Sequence, residues 1–161
     1  MKKYKWIIIL LNLIIILAFY NYSIVKKEKT LSTAKLVLLE LAPVSPKSLI
    51  QDNYMILRYK ISNDLLSKDY TKRGYFIVKV KSNNLATRVR VQKNPLPLKK
   101  EELLIKYFVK NYQLSIGAER FFFQEGQAKK FEEAKYAALR VDKSGSSVLV
   151  GLYDKNLKFI D

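Results

Sequence analysis

Any chemistry in this chain has to be built without its two most versatile side chains, because the 161 residues include no cysteine and no histidine. That removes disulfides, thiolate nucleophiles, Cys-type zinc sites and the Ser-His-Asp and Cys-His arrangements. A serine activated by a lysine is what remains for nucleophilic work. Ser45, shortly before the Asp52-Asn53-Tyr54 strand, is the serine to consider, but nothing marks out one lysine as its base. Carboxylates offer a second scheme. Glu125 and Glu132 are seven residues apart, which on a helix gives one shared face and about 10.5 Å along the axis. That is wide for a cooperating acid and base, and the helix dipole alone favours Glu125 in a first turn. Asp52 and Asn53 offer oxygens to a ligand or metal, yet Asp and Asn before a strand first cap the turn. Tyr54, Leu57 and Tyr59 read as strand packing, with Tyr54 and Tyr59 on opposite faces. The expectation is a protein that is not an enzyme, with no catalytic residue, cofactor or metal.

The elements that position these residues begin with a long apolar run. Trp6 to Val25 carries no charge and, at about 1.5 Å per residue, spans a hydrocarbon core of roughly 30 Å. Trp6, Tyr20 and Tyr22 fall at headgroup level, and Asn12 interrupts the Ile- and Leu-rich centre. Lysines flank both ends: Lys2, Lys3 and Lys5 before, Lys26, Lys27 and Lys29 after. A short lysine-bearing N-terminus favours N-inside. Ala18 is followed by Phe19 and Tyr20, so small residues at signal-peptidase spacing are missing and an uncleaved anchor is expected. The resulting layout is a cytoplasmic tail and transmembrane anchor over 1–25, a polar tether over 26–35, and an extracytoplasmic β-rich domain over 36–161.

Within that domain Leu36 to Leu41 reads as a strand ended by Pro43 and Pro46. Tyr54 to Ile61 alternates, with Met55, Leu57, Tyr59 and Ile61 on the apolar face. Tyr75 to Val80 and Ala86 to Val91 form a hairpin around Ser82-Asn83-Asn84. Leu103 to Lys110 fits either a strand or a helix opening at Glu101 and Glu102, with strand the preferred reading, and Phe121 to Phe123 reads as a central strand with both faces covered. Glu125 opens the main helix, with Ala128, Phe131, Ala134 and Ala138 as its stripe. Ala138 to Val141 and Val148 to Tyr153 close the chain as a hairpin around Lys143-Ser144-Gly145. About seven strands to one helix predicts an α+β, mostly antiparallel domain.

Net charge is +16, and the chain beyond residue 29 carries 24 basic against 13 acidic residues. Arg88 and Arg90 are expected on one strand face. Phosphate contacts of a nucleic acid would use such charge, but the expected topology keeps the domain from nucleic acid. Solubility, or anionic lipid headgroups and envelope polymers, fits it better.

Three segments carry a resemblance. The first runs from Leu36 through Ala42-Pro43-Val44-Ser45-Pro46 to Asp52-Asn53-Tyr54-Met55-Ile56-Leu57-Arg58-Tyr59. The second is Glu119-Arg120-Phe121-Phe122-Phe123-Gln124-Glu125-Gly126 with Ala128, and the third is Tyr136 with Val148 to Leu152. Together they resemble the bacterial membrane-anchored family named after its GDYXXLXY motif. Asp52 stands at the motif's glycine, Asn53 at its aspartate and Ser45 where an aspartate is usual. The resemblance implies Asp52, Asn53, Tyr54, Leu57, Tyr59, Glu125 and Gly126 as motif residues. It also implies a single-pass inner-membrane protein partnered with a multi-pass membrane protein, and brings no activity with it. An anchored hydrolase or Ser-Lys peptidase, and a lipid- or polymer-binding module, are the competing classes.

Overall fold

A computed structural model describes residues 2–43, 50–51, 53–63, 65 and 70–161, with backbone alone for 2–3, 26–33 and 50–51. The apolar run folds as one helix, α1 (Lys2–Thr33). Its stretch Tyr4–Val25 has a mean hydropathy of 2.3, none of it covered by protein, and is long and apolar enough to cross a membrane. The polar intruders are satisfied within the helix: Asn12 Nδ2 donates to the Ile8 carbonyl at 3.1 Å and Asn21 Nδ2 to that of Leu17 at 2.9 Å. Such back-bonding lets an amide sit in hydrocarbon without an orphaned donor. The expected tether 26–35 is helical as far as Thr33.

The rest is α+β and mostly antiparallel, as expected. Among the described residues eleven strands form two sheets: β1 (Lys35–Glu40), β2 (Ile50–Gln51), β3 (Tyr54–Ile56), β4 (Arg73–Val80), β5 (Leu85–Gln92), β6 (Glu102–Lys110), β7 (Gln113–Ser115), β8 (Arg120–Phe122), β9 (Tyr136–Val141), β10 (Ser147–Tyr153) and β11 (Phe159–Ile160). The larger sheet has the order β11-β10-β9-β1-β5-β4-β6-β7 and the smaller β2-β3-β8. Among these strands only β1 and β5 pair in parallel, with Leu38 opposite Leu85. The large sheet curls until its parts meet: the Lys106 N–H on β6 donates to Gly145 O in the β9–β10 turn at 2.8 Å, although three strands separate β9 from β6.

One face of this sheet, with Val37, Leu39, Phe76, Ile105, Leu139 and Leu152, packs against Met55, Leu57, Tyr59, Ile61 and Phe131 to make the core. On the other face Ile77 and Leu104 are also buried. There the connection 93–101 returns from the end of β5 to the start of β6. Arg90 pins it, donating from Nη2 to Pro97 O at 3.0 Å and pairing from Nη1 with Glu102 Oε1 at 2.6 Å. That guanidinium hydrogen bond, joined by the Lys99 N–H, holds the Glu102 carboxyl down at about 2.

Four expectations are corrected. The helix opening at Glu125 shrinks to α2 (Ala128–Phe131), because β9 starts at Tyr136 and is paired on both sides, by β1 and β10. Ala134 and Ala138, assigned to a helical stripe, are half-buried in the following segment and buried in β9. The alanine spacing fits either period, and two strand neighbours decide it. Phe121 to Phe123 is no covered central strand: β8 is the edge of the small sheet and Phe122 is 65% exposed. The strand at Tyr54 stops after Ile56, and Lys60–Ser62 is a 3-10 turn, yet Met55, Leu57, Tyr59 and Ile61 are all buried, as the alternation requires. Arg88 and Arg90 part company because the pairing shifts between Ile77 and Val78, setting Arg90 opposite Ile77 but Arg88 opposite Val78. A bulge at Val89 flips the alternation. Arg88 therefore reaches the carbonyls of Ile61 and Asn63 while Arg90 reaches Glu102.

Candidate functional site

The motif residues and the later aromatic segment turn out to be neighbours. β3 pairs with β8 so that Tyr54 faces Phe122, Met55 faces Phe121 and Ile56 faces Arg120. The Phe123 N–H donates to Asn53 O at 3.0 Å and the Leu57 N–H to Glu119 O at 2.7 Å. Tyr59 crosses the core to donate its hydroxyl to Ala118 O, and its backbone bridges to Leu41. Burial, then the nearby Glu119 charge, pushes the Tyr59 phenol well above its ordinary 10. Glu119 in turn accepts the N–H groups of Ile116, at 2.5 Å, and Gly117, at 3.2 Å. Leu57 and Tyr59 are thus the inward half of a clamp joining β1, β3 and the 116–123 segment.

The outward half is largely apolar. Half-buried Tyr54 and exposed Phe122 meet at a tilt of 41° with ring centroids 5.6 Å apart, and exposed Ile56 continues the strip. Beyond Ile56 opens a cleft of about 680 Å³ between the motif strand and the β6–β7 hairpin, lined by Arg58, Tyr70, Phe108, Tyr112, Leu114 and Arg120 among others. Tyr112 stands at its rim, 98% exposed. Asn111 and Tyr112 form the two-residue turn between β6 and β7 with φ of 50° and 60°. That is the conformation of a type I′ turn, in which glycine normally takes the second place. A side chain there costs about 1–2 kcal/mol, so a fully exposed tyrosine is retained at a cost the turn does not require.

Asp52 and Ser45 lie outside the described residues. Asn53 is exposed at the turn into β3, with its carbonyl rather than its side chain doing the pairing. Glu125 and Gly126 sit in the Gln124–Gln127 turn, not on a helix. Gly126 has φ of 84° with nothing within 4 Å of the position a Cβ would take, so its role is conformational, neither close approach nor helix initiation. Glu125 and Glu132 are both exposed and share no helix. Among the described residues no cluster of His, Cys, Asp or Glu could hold a metal ion.

The structure also joins a lysine to serines that sequence reading could not pair, being 38 and 40 residues apart. Lys106 Nζ lies 3.1 Å from Ser144 Oγ and 3.3 Å from Ser146 Oγ. Ser144 Oγ already donates to Asp142 Oδ1 at 2.7 Å, and the N–H groups of Ser144 and Ser146 bind the same oxygen. Burial works against the Asp142 charge, but these hydrogen bonds hold its carboxyl below the usual range. The group fixes the β9–β10 turn on β6.

Comparison with known families now gives the two paired segments their context. A match to the GDYXXLXY protein family extends over residues 16–152. The chain belongs to this family. No curated protein and no solved structure matches it. For the GDYXXLXY fold seen here, the clamp explains Leu57 and Tyr59 of the motif, while Ile56 and Arg58 between them line the cleft.

Proposed function

We propose that this GDYXXLXY protein is a non-enzymatic, membrane-anchored accessory subunit. In this reading it sits N-inside in a bacterial inner membrane and docks its extracytoplasmic domain on a multi-pass membrane protein. Support for the anchor is the span Tyr4–Val25, which protein leaves uncovered. The observation that carries docking is the strip formed by exposed Phe122 and Ile56 with half-buried Tyr54, running into a cleft rimmed by Tyr112. Contiguous exposed aromatics of this kind mark interaction surfaces, and tyrosine and phenylalanine are enriched at interface centres. The flanking Arg58, Lys110 and Arg120 suit a partner segment with acidic residues at its edge.

Affinity purification of the full chain from mild detergent tests this. The native chain should bring down one stoichiometric membrane protein, and Phe122→Lys, made on an exposed position that leaves the core intact, should lose it. Recovery of the native chain alone, or equal capture by Phe122→Lys, defeats the reading.

A further inference from the structure

The end of the domain opposite the docking strip has its own chemistry. β1 leaves α1 at Lys35 and runs away from it, and register carries that polarity across the sheet. Val141 pairs with Lys35, so the β9–β10 turn lies at the α1 end. The Leu38 N–H donates to Asn84 O at 2.8 Å, and β5 runs parallel to β1, so the β4–β5 turn lies there too. Glu102 pairs with Lys79 near that turn, which brings residues 99–101 to the same end. Three turns therefore present Lys35, Lys79, Lys81, Lys99, Lys100 and Lys143, all exposed. Among the described side chains the acids of these turns are engaged: Glu101 by Lys79 at 3.5 Å, Glu102 by Arg90, and Asp142 by Ser144 and Ser146. Glu40 and Asp154 lie at the far ends of β1 and β10, and Glu119 lies beside Leu57.

The distance from the bilayer is set by the helix. Eight residues separate Val25, the end of the span, from Thr33, the end of α1. At 1.5 Å each they raise the domain about 12 Å above the hydrocarbon, of which the headgroups occupy about 5–7 Å. The remaining gap is within a Debye length of about 8 Å. The exit does not swing freely, because Ala34 is buried and its carbonyl accepts from Arg140 Nη1 at 3.0 Å, while the end of α1 packs on β9 and β10.

We infer that this lysine rim is a docking surface for the anionic lipid headgroups of the leaflet from which α1 emerges. The inference needs α1 in a bilayer but holds in either orientation and without the partner protein proposed above. Each lysine near an anionic leaflet strengthens association about five-fold, so a rim of six orients a domain already tethered to the surface. Its consequence is that the docking strip faces away from the membrane.

The test is acetylation of lysines in the full chain, reconstituted alone into phosphatidylcholine vesicles with or without phosphatidylglycerol, read by mass spectrometry. With phosphatidylglycerol, Lys81, Lys99, Lys100 and Lys143 should react several-fold more slowly and recover in high salt, while Lys110, Lys129 and Lys155 keep their rates. In the variant with Lys81, Lys99, Lys100 and Lys143 each changed to Gln, the protection of Lys79 should vanish. Equal rates in the two vesicles, slowing at both ends alike, or protection found only in native membranes overturns the inference.

Discussion

At the scale of single residues, Tyr59 shows how a motif position is held by physics and not by chemistry on a substrate. It is 2% exposed, and its hydroxyl ends on the Ala118 carbonyl. Tyr59→Phe keeps the ring and orphans that carbonyl, so urea unfolding at neutral pH should register a loss of about 1–2 kcal/mol. The alkaline limb is a separate signature. An unfolded tyrosine titrates near 10, whereas burial and then Glu119 keep the folded phenol protonated to higher pH. Above pH 10 the unfolded chain releases a proton that the folded chain retains, so the stability present below 10 falls as pH rises toward the folded value. Tyr59→Phe should lose less stability than the native protein between pH 9 and pH 11 (about two units, spanning the phenol's ordinary range). Parallel declines would mean that Tyr59 is not the titrating group. The sequence exposes this role only in part: the alternation of Met55, Leu57, Tyr59 and Ile61 places Tyr59 inward, but nothing local names Ala118, 59 residues away, as its acceptor.

Elements were legible where a single period had no rival. The hairpin around Ser82-Asn83-Asn84 and the closing hairpin at Lys143-Ser144-Gly145 appear as the patterns require, whereas the run Leu103 to Lys110, which fits helix or strand, is settled as a strand by its pairing with β4 and β7. Failures came where the partner decides the outcome. Ala134 and Ala138 suit a helix until β1 and β10 take both edges of β9, and the triple phenylalanine looks central until its strand proves to be an edge. The cleft was invisible for the same reason, since it joins the motif strand to a hairpin more than 50 residues later. Two glycines separate conformational from packing demands on these turns. Gly126 and Gly145 have φ of 84° and 83°, but only at Gly145 would a Cβ meet Leu104 Cβ at 3.0 Å and the Lys106 nitrogen at 3.2 Å. Gly126→Ala should therefore cost about 1 kcal/mol, and Gly145→Ala distinctly more, because it also pushes the turn off β6. Urea midpoints at matched slope check the order, and equal losses would dissolve the claim that the β9–β10 turn closes the sheet.

The whole molecule reads as a helix of membrane length, a basic rim where the chain leaves it, and an aromatic strip at the opposite end. β6 is nine residues long and runs from the rim to the cleft hairpin, so at about 3.3 Å per residue the cleft is raised by at most about 30 Å above the rim. A partner that meets it must send a soluble segment to that height, which a multi-pass protein can do only with a loop or domain on the same side. Topology is therefore the premise on which docking stands, and the composition offers a clean probe. With no cysteine in the chain, Tyr112→Cys introduces a single thiol at a site 98% exposed, in a turn where losing the tyrosine ring removes no core contact. In intact spheroplasts a membrane-impermeant maleimide should label it fully, and prior treatment with a second impermeant thiol reagent should block that label. As an internal control, a cysteine at Lys3, beside the span's other end, should label only after lysis. The reverse pattern would put the aromatic strip in the cytoplasm, where the proposed extracytoplasmic partner could not reach it, while leaving the lipid-facing rim equally placed against the other leaflet.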